Sequence, residues 1–198
     1  MILLIATTNP NKLREIRPLL QASHKEGPYQ LVTLADLAPI PEPEETGATF
    51  WENARLKALA YAAASGLVTV AEDSGFEVDA LGGEPGVWSA RFLGPSASYE
   101  ERFAEIYRRL NGRASTARFV TALTVAKDGE LLFETETTIE GFVAAAPRGR
   151  HGFGYDPIFL YPPAGATTAE MADLDKAAVS HRGRAIRDLA RYLHNRSA

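Results

Sequence analysis

The chain has 198 residues, of which 45% are hydrophobic and 23% are charged, and its formal net charge is −4. This predicts one globular domain with a sizeable core and argues against a general nucleic-acid surface, while no stretch approaches the ~20 apolar residues of a membrane span. Because cysteine is absent, a disulfide framework, a thiol nucleophile and a thiolate metal site are excluded, which fits a cytoplasmic location.

The first third of the chain predicts two strands and one helix. A continuous apolar run at residues 2–6 is typical of a strand buried on both faces. Residues 11–20 follow as a helix, with Pro18 weakening its end. A second short strand is predicted at residues 29–34, and the Pro- and Glu-rich stretch at residues 38–45 indicates a loop.

The clearest helix signal is the capping box formed by Thr49 and Glu52, with Gly66 as the C-cap. A buried strand over residues 67–71 then leads directly into Glu72-Asp73-Ser74-Gly75, where we expect the chain to turn sharply.

The remaining elements alternate between helix and strand. They are a helix from the capping box Ser98/Glu101 to about Gly112, strands over residues 119–126 and 130–143 joined by an Asp128-Gly129 hairpin turn, and a last helix over residues 180–194. This order predicts an α/β protein with a mixed sheet.

Polar residues follow the first strand, in the segment Thr7-Thr8-Asn9-Pro10-Asn11-Lys12. Ligands of α/β sheets bind at the carboxyl ends of strands, and a helix N-terminus offers N–H groups to a phosphate. Lys12 adds a positive charge and Asn9 a neutral donor. A plain turn capped by Asn9, with Lys12 in solvent, is the competing interpretation.

Two adjacent carboxylates, Glu72 and Asp73, follow the next predicted strand. Their repulsion would be relieved by a divalent cation, and oxygen ligands suit Mg²⁺. On the preceding helix, Asn53 and Lys57 are i,i+4 neighbours, so Lys57 beside an amide is a candidate phosphate ligand. An acidic turn exposed to water and a solvated Lys57 are the alternatives.

A glycine-rich segment at residues 148–157 carries two aromatic residues, Phe153 and Tyr155. In an extended chain, Phe153 and Tyr155 would point to the same side and stack on a base. Asp156 can accept from a base N–H or a ribose hydroxyl. The alternative is a loop with two core aromatics.

Donors of different types cluster near the start of the last helix. Lys176 precedes Ser180-His181-Arg182 there, and an N-capped surface helix is the competing interpretation.

Together and in this order, these segments resemble the inosine triphosphate pyrophosphatases, also called dITP/XTP pyrophosphatases. The matching segments are ATTNPNK, EETGATFWENARLKA, AEDSGFEVDALGGEPGVWSARF, GFGYDPIF and KAAVSHRGRA. The resemblance implies one pyrophosphatase domain over residues 1–198, with a two-lobed α/β fold, a long central mixed sheet flanked by helices, and an active-site cleft between the lobes. It also implies a homodimer, a requirement for Mg²⁺, and hydrolysis of non-canonical purine nucleoside triphosphates to monophosphate and pyrophosphate.

The resemblance also implies roles for individual residues. Asp73 would be the catalytic acid–base residue and a metal ligand, with Glu45 and Glu72 as further ligands. Many family members carry Asp where this chain has Glu72, and the longer side chain would shift the metal. The substrate would contact Thr7, Thr8, Asn9, Lys12, Lys57, Ser74 and Lys176 through its phosphates and sugar, and Phe153, Gly154, Tyr155, Asp156, His181 and Arg182 through its base.

Two other functions compete with this interpretation. A related pyrophosphatase group acts on modified pyrimidine or 7-methylguanosine triphosphates, but it lacks the SHR and GFGYDP segments. A non-catalytic nucleotide sensor would not need the acidic pair Glu72 and Asp73.

Overall fold

The structure is a computed structural model that describes residues 1–23 and 29–196. Its helices and strands are β1 (Ile2–Ile5), α1 (Pro10–Ser23), β2 (Gln30–Thr33), α2 (Phe50–Ser65), β3 (Val68–Val78), β4 (Pro85–Gly86), α3 (Tyr99–Leu110), β5 (Thr116–Lys127), β6 (Glu130–Val143), β7 (Phe159–Tyr161), β8 (Ala166–Thr167), α4 (Asp173–Val179) and α5 (His181–Asn195).

The strands form one sheet in the order β2-β1-β3-β5-β6-β7-β8, with β4 paired to β3. β1 runs parallel to β2 and β3, whereas the pairs β6–β7 and β7–β8 are antiparallel. The predicted α/β fold with a central mixed sheet is therefore confirmed.

The chain divides into two compact units, and β3, β5 and β6 contribute residues to both. The first unit comprises Met1–Asp73, Thr121–Thr137 and Arg182–Ala198, and the second comprises Ser74–Val120 and Thr138–His181.

The first unit places a core on each face of its strands. On one face, α1 and α5 pack aliphatic side chains against Val68 and Val70 of β3. On the other face, α2 packs Tyr61 and its alanines against Ala71. Burying each large aliphatic side chain contributes about 1.5–3 kcal/mol, so these two faces hold both helix layers on the strands.

Helix α1 extends beyond its predicted end and includes Pro18. Proline cannot donate the helical hydrogen bond, but Pro18 is exposed, while Ile16 and Leu20 are buried in the core. Burial of that apolar face outweighs the lost bond, and the helix continues to Ser23.

Local capping and turn signals predicted element boundaries well. Thr49 accepts from the backbone N–H of Glu52, and Gly66 ends α2 with φ of 67°. Ser98 caps α3 in the same way, although Asn111 rather than Gly112 is its C-cap. The β5–β6 turn has positive φ at Asp128 and Gly129 (52° and 82°), as hairpin turns of this type require.

The sharp turn predicted at Ser74-Gly75 is wrong, because β3 continues to Val78. Phe76 and Val78 are fully buried, and Phe76 pairs with Gly86 of β4. Buried apolar side chains therefore extend the strand past its acidic pair, which lies in the middle of β3.

The single helix predicted at residues 180–194 is the second of two consecutive helices. Ser180 is extended, with ψ of 155°, and separates α4 from α5. Lys176 therefore lies on α4, while His181 and Arg182 lie in the first turn of α5.

No helix among the described residues is both long and apolar enough to cross a bilayer.

Candidate active site

Charged side chains are buried together in the first unit. Glu72 is 5% exposed and Arg182 is 2% exposed. The Nε of Arg182 donates to both carboxylate oxygens of Glu72 at 3.0 Å, and its Nη1 donates to Glu15 at 2.5 Å. The ammonium of Lys12 lies 3.3 Å from Glu72. Because isolated buried charges are costly, this pairing keeps the cluster stable.

Asp73 has a different set of partners from its neighbour Glu72. Lys57 Nζ lies 3.1 Å from Asp73 Oδ1 and 2.5 Å from Glu45 Oε1. The amide of Asn53 donates to Asp73 Oδ2 at 3.2 Å. Successive residues of a strand point to opposite faces, so Glu72 faces the layer of α1 and α5 while Asp73 faces α2.

The pKa values in this cluster follow from burial and neighbouring charges. Burial opposes ionisation of Glu72, but Arg182 and Lys12 outweigh it and hold the pKa of Glu72 below its ordinary value. Burial also opposes the charge of Lys57, yet Asp73 and Glu45 raise its pKa. For Lys12, burial prevails over Glu72 and lowers the pKa. As pH rises, Lys12 therefore loses its charge before Lys57 does.

The segment before α1 is organised by its own side chains. Asn9 Oδ1 accepts from the backbone N–H groups of Asn11 (2.9 Å) and Lys12 (3.3 Å), and Thr7 Oγ1 accepts from Asn9 N (3.2 Å). Thr8 donates to Glu42 at 3.1 Å. Asn9 is thus a helix cap, as the competing interpretation held. Lys12, by contrast, points to Glu72 rather than into solvent.

Two carboxylates of the first unit, those of Glu45 and Asp73, are candidate magnesium ligands. The described residues contain no group of three or more His, Cys, Asp or Glu side chains arranged to hold a metal ion. Glu45 and Asp73 nevertheless contact the same ammonium group, that of Lys57, so one cation can bridge them. Carboxylate oxygens suit Mg²⁺, which usually takes one or two of them and completes its shell with water and substrate phosphates. These two side chains fit the ion.

Glu72, the third predicted ligand, has partners other than those of Glu45 and Asp73. It points to the opposite strand face from Asp73, and both of its oxygens accept from Arg182. These contacts favour a role for Glu72 as a partner of Lys12 and Arg182, while its part in metal binding stays a prediction.

In the second unit, Tyr155 does not present its ring to a ligand. The residue is 3% exposed, its ring stacks on Phe76 with centroids 5.1 Å apart, and its hydroxyl donates to Ser89 O at 2.9 Å. Its φ and ψ of −88° and 7° are not those of an extended chain, so the side-chain alternation of a strand does not apply at this residue. The ring of Tyr155 therefore packs in the core of the second unit, and its contact with a base stays a prediction.

The other predicted residues of this unit lie on the same loop, on α4 or at the start of α5. Phe153 is half-buried, and Lys176 Nζ lies 5.5 Å from its ring centroid. Gly154 has φ of 68°, a conformation that favours glycine. The His181 ring stacks on Phe119 with centroids 4.9 Å apart. Lys176 also pairs with Asp156 at 2.6 Å.

The predicted site residues thus fall into two sets. The first unit holds Thr7, Thr8, Asn9, Lys12, Glu45, Lys57, Glu72, Asp73 and Arg182, and the second holds Ser74, Phe153, Gly154, Tyr155, Asp156, Lys176 and His181.

Sequence reasoning missed how Asn53 and Glu15 contribute to the site. Asn53 is fully buried and links Asp73 to Gly47. Its amide nitrogen donates to Asp73, and its Oδ1 accepts a hydrogen bond from the backbone N–H of Gly47 at 2.8 Å. The i,i+4 spacing of Asn53 and Lys57 was the one sequence feature that could have placed Asn53 in the site. Glu15 is half-buried and lies on α1, far in sequence from its partner Arg182, so no local pattern could reveal it.

We expect Glu72→Gln to destabilise the fold in a pH-dependent way. Removing one partner of a buried ion pair costs about 3–5 kcal/mol, so the free energy of unfolding should fall by that order at neutral pH. Because the folded pKa of Glu72 is lowered from 4.5, its contribution is present above that value and is lost as pH falls through the folded pKa. Urea denaturation over a pH series measures both effects.

The matched control is Glu140→Gln, which removes an exposed pair with Arg118 and should cost only about 0–1 kcal/mol. Equal effects of the two substitutions, or a wild-type advantage over Glu72→Gln that does not shrink in acid, would contradict the account of the buried cluster.

The chain is similar to known proteins over nearly its whole length. The model of the Ham1 family matches residues 3–192. A dITP/XTP pyrophosphatase of Exiguobacterium sp. strain AT1b is 47% identical over 96% of this chain and 95% of its own. The structure of a HAM1 protein from Coxiella burnetii superposes with a TM-score of 0.89 at 33% identity, covering 98% of this chain and 99% of the other. A nucleoside-triphosphatase / dITP/XTP pyrophosphatase from Mycobacterium abscessus gives a TM-score of 0.76 at 40% identity, with 96% and 97% covered. This chain therefore belongs to the Ham1 family.

Proposed function

We propose that this protein hydrolyses non-canonical purine nucleoside triphosphates, such as those of inosine and xanthine, to the monophosphate and pyrophosphate. Its relatives carry the name dITP/XTP pyrophosphatase. The observation that carries the proposal is the buried cluster in the first unit, where Lys12 and Lys57 lie against Glu72 and Asp73. Such a cluster combines cations for phosphates with a carboxylate that can act on water.

The two lysines suit a highly charged substrate. Lys57 contacts both Glu45 and Asp73, and Lys12 contacts Glu72, so each ammonium is compensated before substrate arrives. Phosphate oxygens can replace these carboxylate contacts without leaving the ammonium groups unpaired. Thr7, Thr8, Asn9 and Ser74 are proposed to add donors for the phosphates and sugar.

Asp73 is proposed to orient and deprotonate the attacking water. The water oxygen forms a bond to the α-phosphorus, the bond to the bridging oxygen breaks, and pyrophosphate leaves while Asp73 accepts the proton. Asn53 holds one oxygen of Asp73 through its amide and thereby fixes the carboxylate. Lys12 and Lys57 stabilise negative charge on the transferring and leaving groups.

Glu45 and Asp73 are proposed to hold Mg²⁺. Bound there, the ion would supply Lewis-acid stabilisation of the phosphoryl oxygens.

The base is proposed to be held by the second unit. Phe153 supplies an aromatic face for stacking, and the loop at Gly154 supplies backbone N–H groups. His181 supplies the polar edge of its imidazole, and stacking on Phe119 fixes the plane of that ring. Arg182 was predicted as a further base donor, but its bonds to Glu72 and Glu15 support a role in fixing the acidic cluster. Assembly as a homodimer stays a prediction from family resemblance.

Metal removal tests whether the protein is a metal-dependent enzyme or a nucleotide sensor. With dITP and Mg²⁺ we expect continuous pyrophosphate release, and with excess EDTA a loss of about tenfold or more, because the metal stabilises the developing charge. Added Mg²⁺ should restore the rate. Release that is unchanged by EDTA would contradict the metal proposal, and stoichiometric binding without release would indicate a sensor.

A further inference from the structure

The carboxylate of Asp156 is occupied by donors from the protein itself. Its Oδ1 accepts from the hydroxyl of Thr168 at 2.7 Å. Its Oδ2 accepts from the backbone N–H of Phe153 at 2.8 Å and from Lys176 Nζ at 2.6 Å. Asp156 is only 2% exposed. Because a carboxylate offers about four acceptor positions, three of them are used inside the second unit.

Gly152 shows how closely the chain wraps this pair. A Cβ atom at Gly152 would lie 2.1 Å from Asp156 Oδ2 and 2.9 Å from Lys176 Nζ. The residue also has φ of 70°, which favours glycine. The backbone therefore packs directly against the carboxylate and the ammonium, and any side chain there would displace them.

Thr168 is the buried end of this arrangement. The residue is 1% exposed, and its hydroxyl also lies 3.3 Å from the backbone carbonyl of Asp156. Threonine has few side-chain rotamers, so its buried hydroxyl holds the carboxylate of Asp156 in one orientation. Thr168 therefore contacts Asp156, which in turn contacts the ammonium group of Lys176.

We propose that Asp156 and Thr168 are positioning residues that hold the ammonium of Lys176 for the substrate, and that Asp156 does not itself accept from the base or the ribose. This inference rests on the proposed function, because it takes Lys176 to contact the nucleotide. Asp156 thereby changes from a residue that contacts the substrate to one that holds Lys176. Thr168, which lies outside the motif segments quoted above, is added to the site.

Three substitutions test the role of the hydroxyl. Thr168→Val keeps the shape but removes the donor, and we expect kcat/KM for dITP to fall about tenfold or more, since a small displacement of a substrate-positioning group can cost up to about 10². Thr168→Ser should restore most of the activity. Thr69→Val is the matched control, because its buried hydroxyl donates to the Leu67 carbonyl of the same segment, and it should leave kcat/KM near the wild-type value.

A double-mutant cycle tests whether Thr168 acts through Lys176. In the Lys176→Met background, Thr168→Val should cause no further loss, because residues that act through one group are not additive. If Lys176→Met does not fold, the same cycle is measured in the Asp156→Asn background, because that substitution keeps the shape of the side chain. An independent loss in either background, or a change below about twofold in Thr168→Val alone, would overturn the proposal.

A measurement without substrate separates this proposal from the proposed function. NMR of isotope-labelled lysine ammonium groups should show a slowly exchanging signal that Lys176→Met removes, Thr168→Val broadens and Thr168→Ser restores. Wild-type protein that fails to hydrolyse dITP would reject the proposed function, whereas a Lys176 signal that is unaffected by Thr168→Val would reject the positioning role alone.

Discussion

Asp73→Asn should nearly abolish turnover of dITP while leaving the fold intact. The amide keeps the shape of the side chain, but it removes the basicity that activates water and the charge that pairs with Lys57. Loss of a general base costs about 10²–10⁴ in rate, and weaker metal binding would add to that. The measurement is kcat with saturating dITP and Mg²⁺, together with circular dichroism and the unfolding temperature of the variant.

The matched control for this substitution is Asp128→Asn. Asp128 is an exposed turn residue with φ of 52°, where asparagine is equally suitable, so kcat should be unchanged. If folded Asp73→Asn protein kept more than about a tenth of wild-type activity, Asp73 would not be the general base, because that loss is below the range for such a group.

Substrate discrimination should be the second large effect, with dITP and XTP hydrolysed far better than dATP. Hypoxanthine and xanthine present a 6-oxo acceptor, whereas adenine presents a 6-amino donor. Facing His181 and backbone N–H groups of the loop at Gly154, that amino group would leave buried donors unpaired, at about 1–3 kcal/mol each. Two such mismatches give roughly 10²–10⁴ in kcat/KM. The comparison requires dITP, XTP, dGTP and dATP under one set of conditions.

Phe153→Ala provides the control for this prediction, because stacking does not distinguish one purine from another. It should lower kcat/KM for dITP and dATP by similar factors and leave their ratio unchanged. A wild-type dATP value within a factor of about five of dITP would contradict hydrogen-bond discrimination, whose expected range is much larger.

Features set by local chemistry could be predicted from the sequence. The capping box of Thr49 and Glu52 depends on residues three positions apart, and the Asp128-Gly129 turn on two adjacent residues, so their patterns are complete in the sequence. The segment at residues 7–12 was predicted to bind a phosphate because it follows β1 directly, and ligands of α/β sheets bind at the carboxyl ends of strands; this role stays a prediction.

Features set by distant contacts could not be predicted. Glu72 and Asp73 were expected at a turn because Ser74 and Gly75 follow them, but β3 continues through both acids. Lys12, Arg182 and Lys57 come from other elements to neutralise the two carboxylates. Strand alternation then gives the two acids different partners, which the sequence pattern alone did not reveal.

The glycine-rich segment shows the same limit for aromatic residues. Phe153 and Tyr155 are two positions apart, which suggested one stacking surface. The structure instead packs Tyr155 against Phe76 in the core and leaves Phe153 half-buried. Periodicity cannot distinguish a ring for the core from a ring for a ligand, because both are apolar and their neighbours come from elsewhere in the chain.

The proposed reaction is tested most directly by product analysis with purified protein, Mg²⁺ and a panel of nucleoside triphosphates, in which monophosphate, diphosphate, pyrophosphate and orthophosphate are quantified separately. We expect dITP and XTP to give monophosphate and pyrophosphate in equal amounts, dATP to give little product, and Asp73→Asn to give almost none. Diphosphate and orthophosphate as the main products, or equal turnover of all the triphosphates, would contradict the proposed reaction.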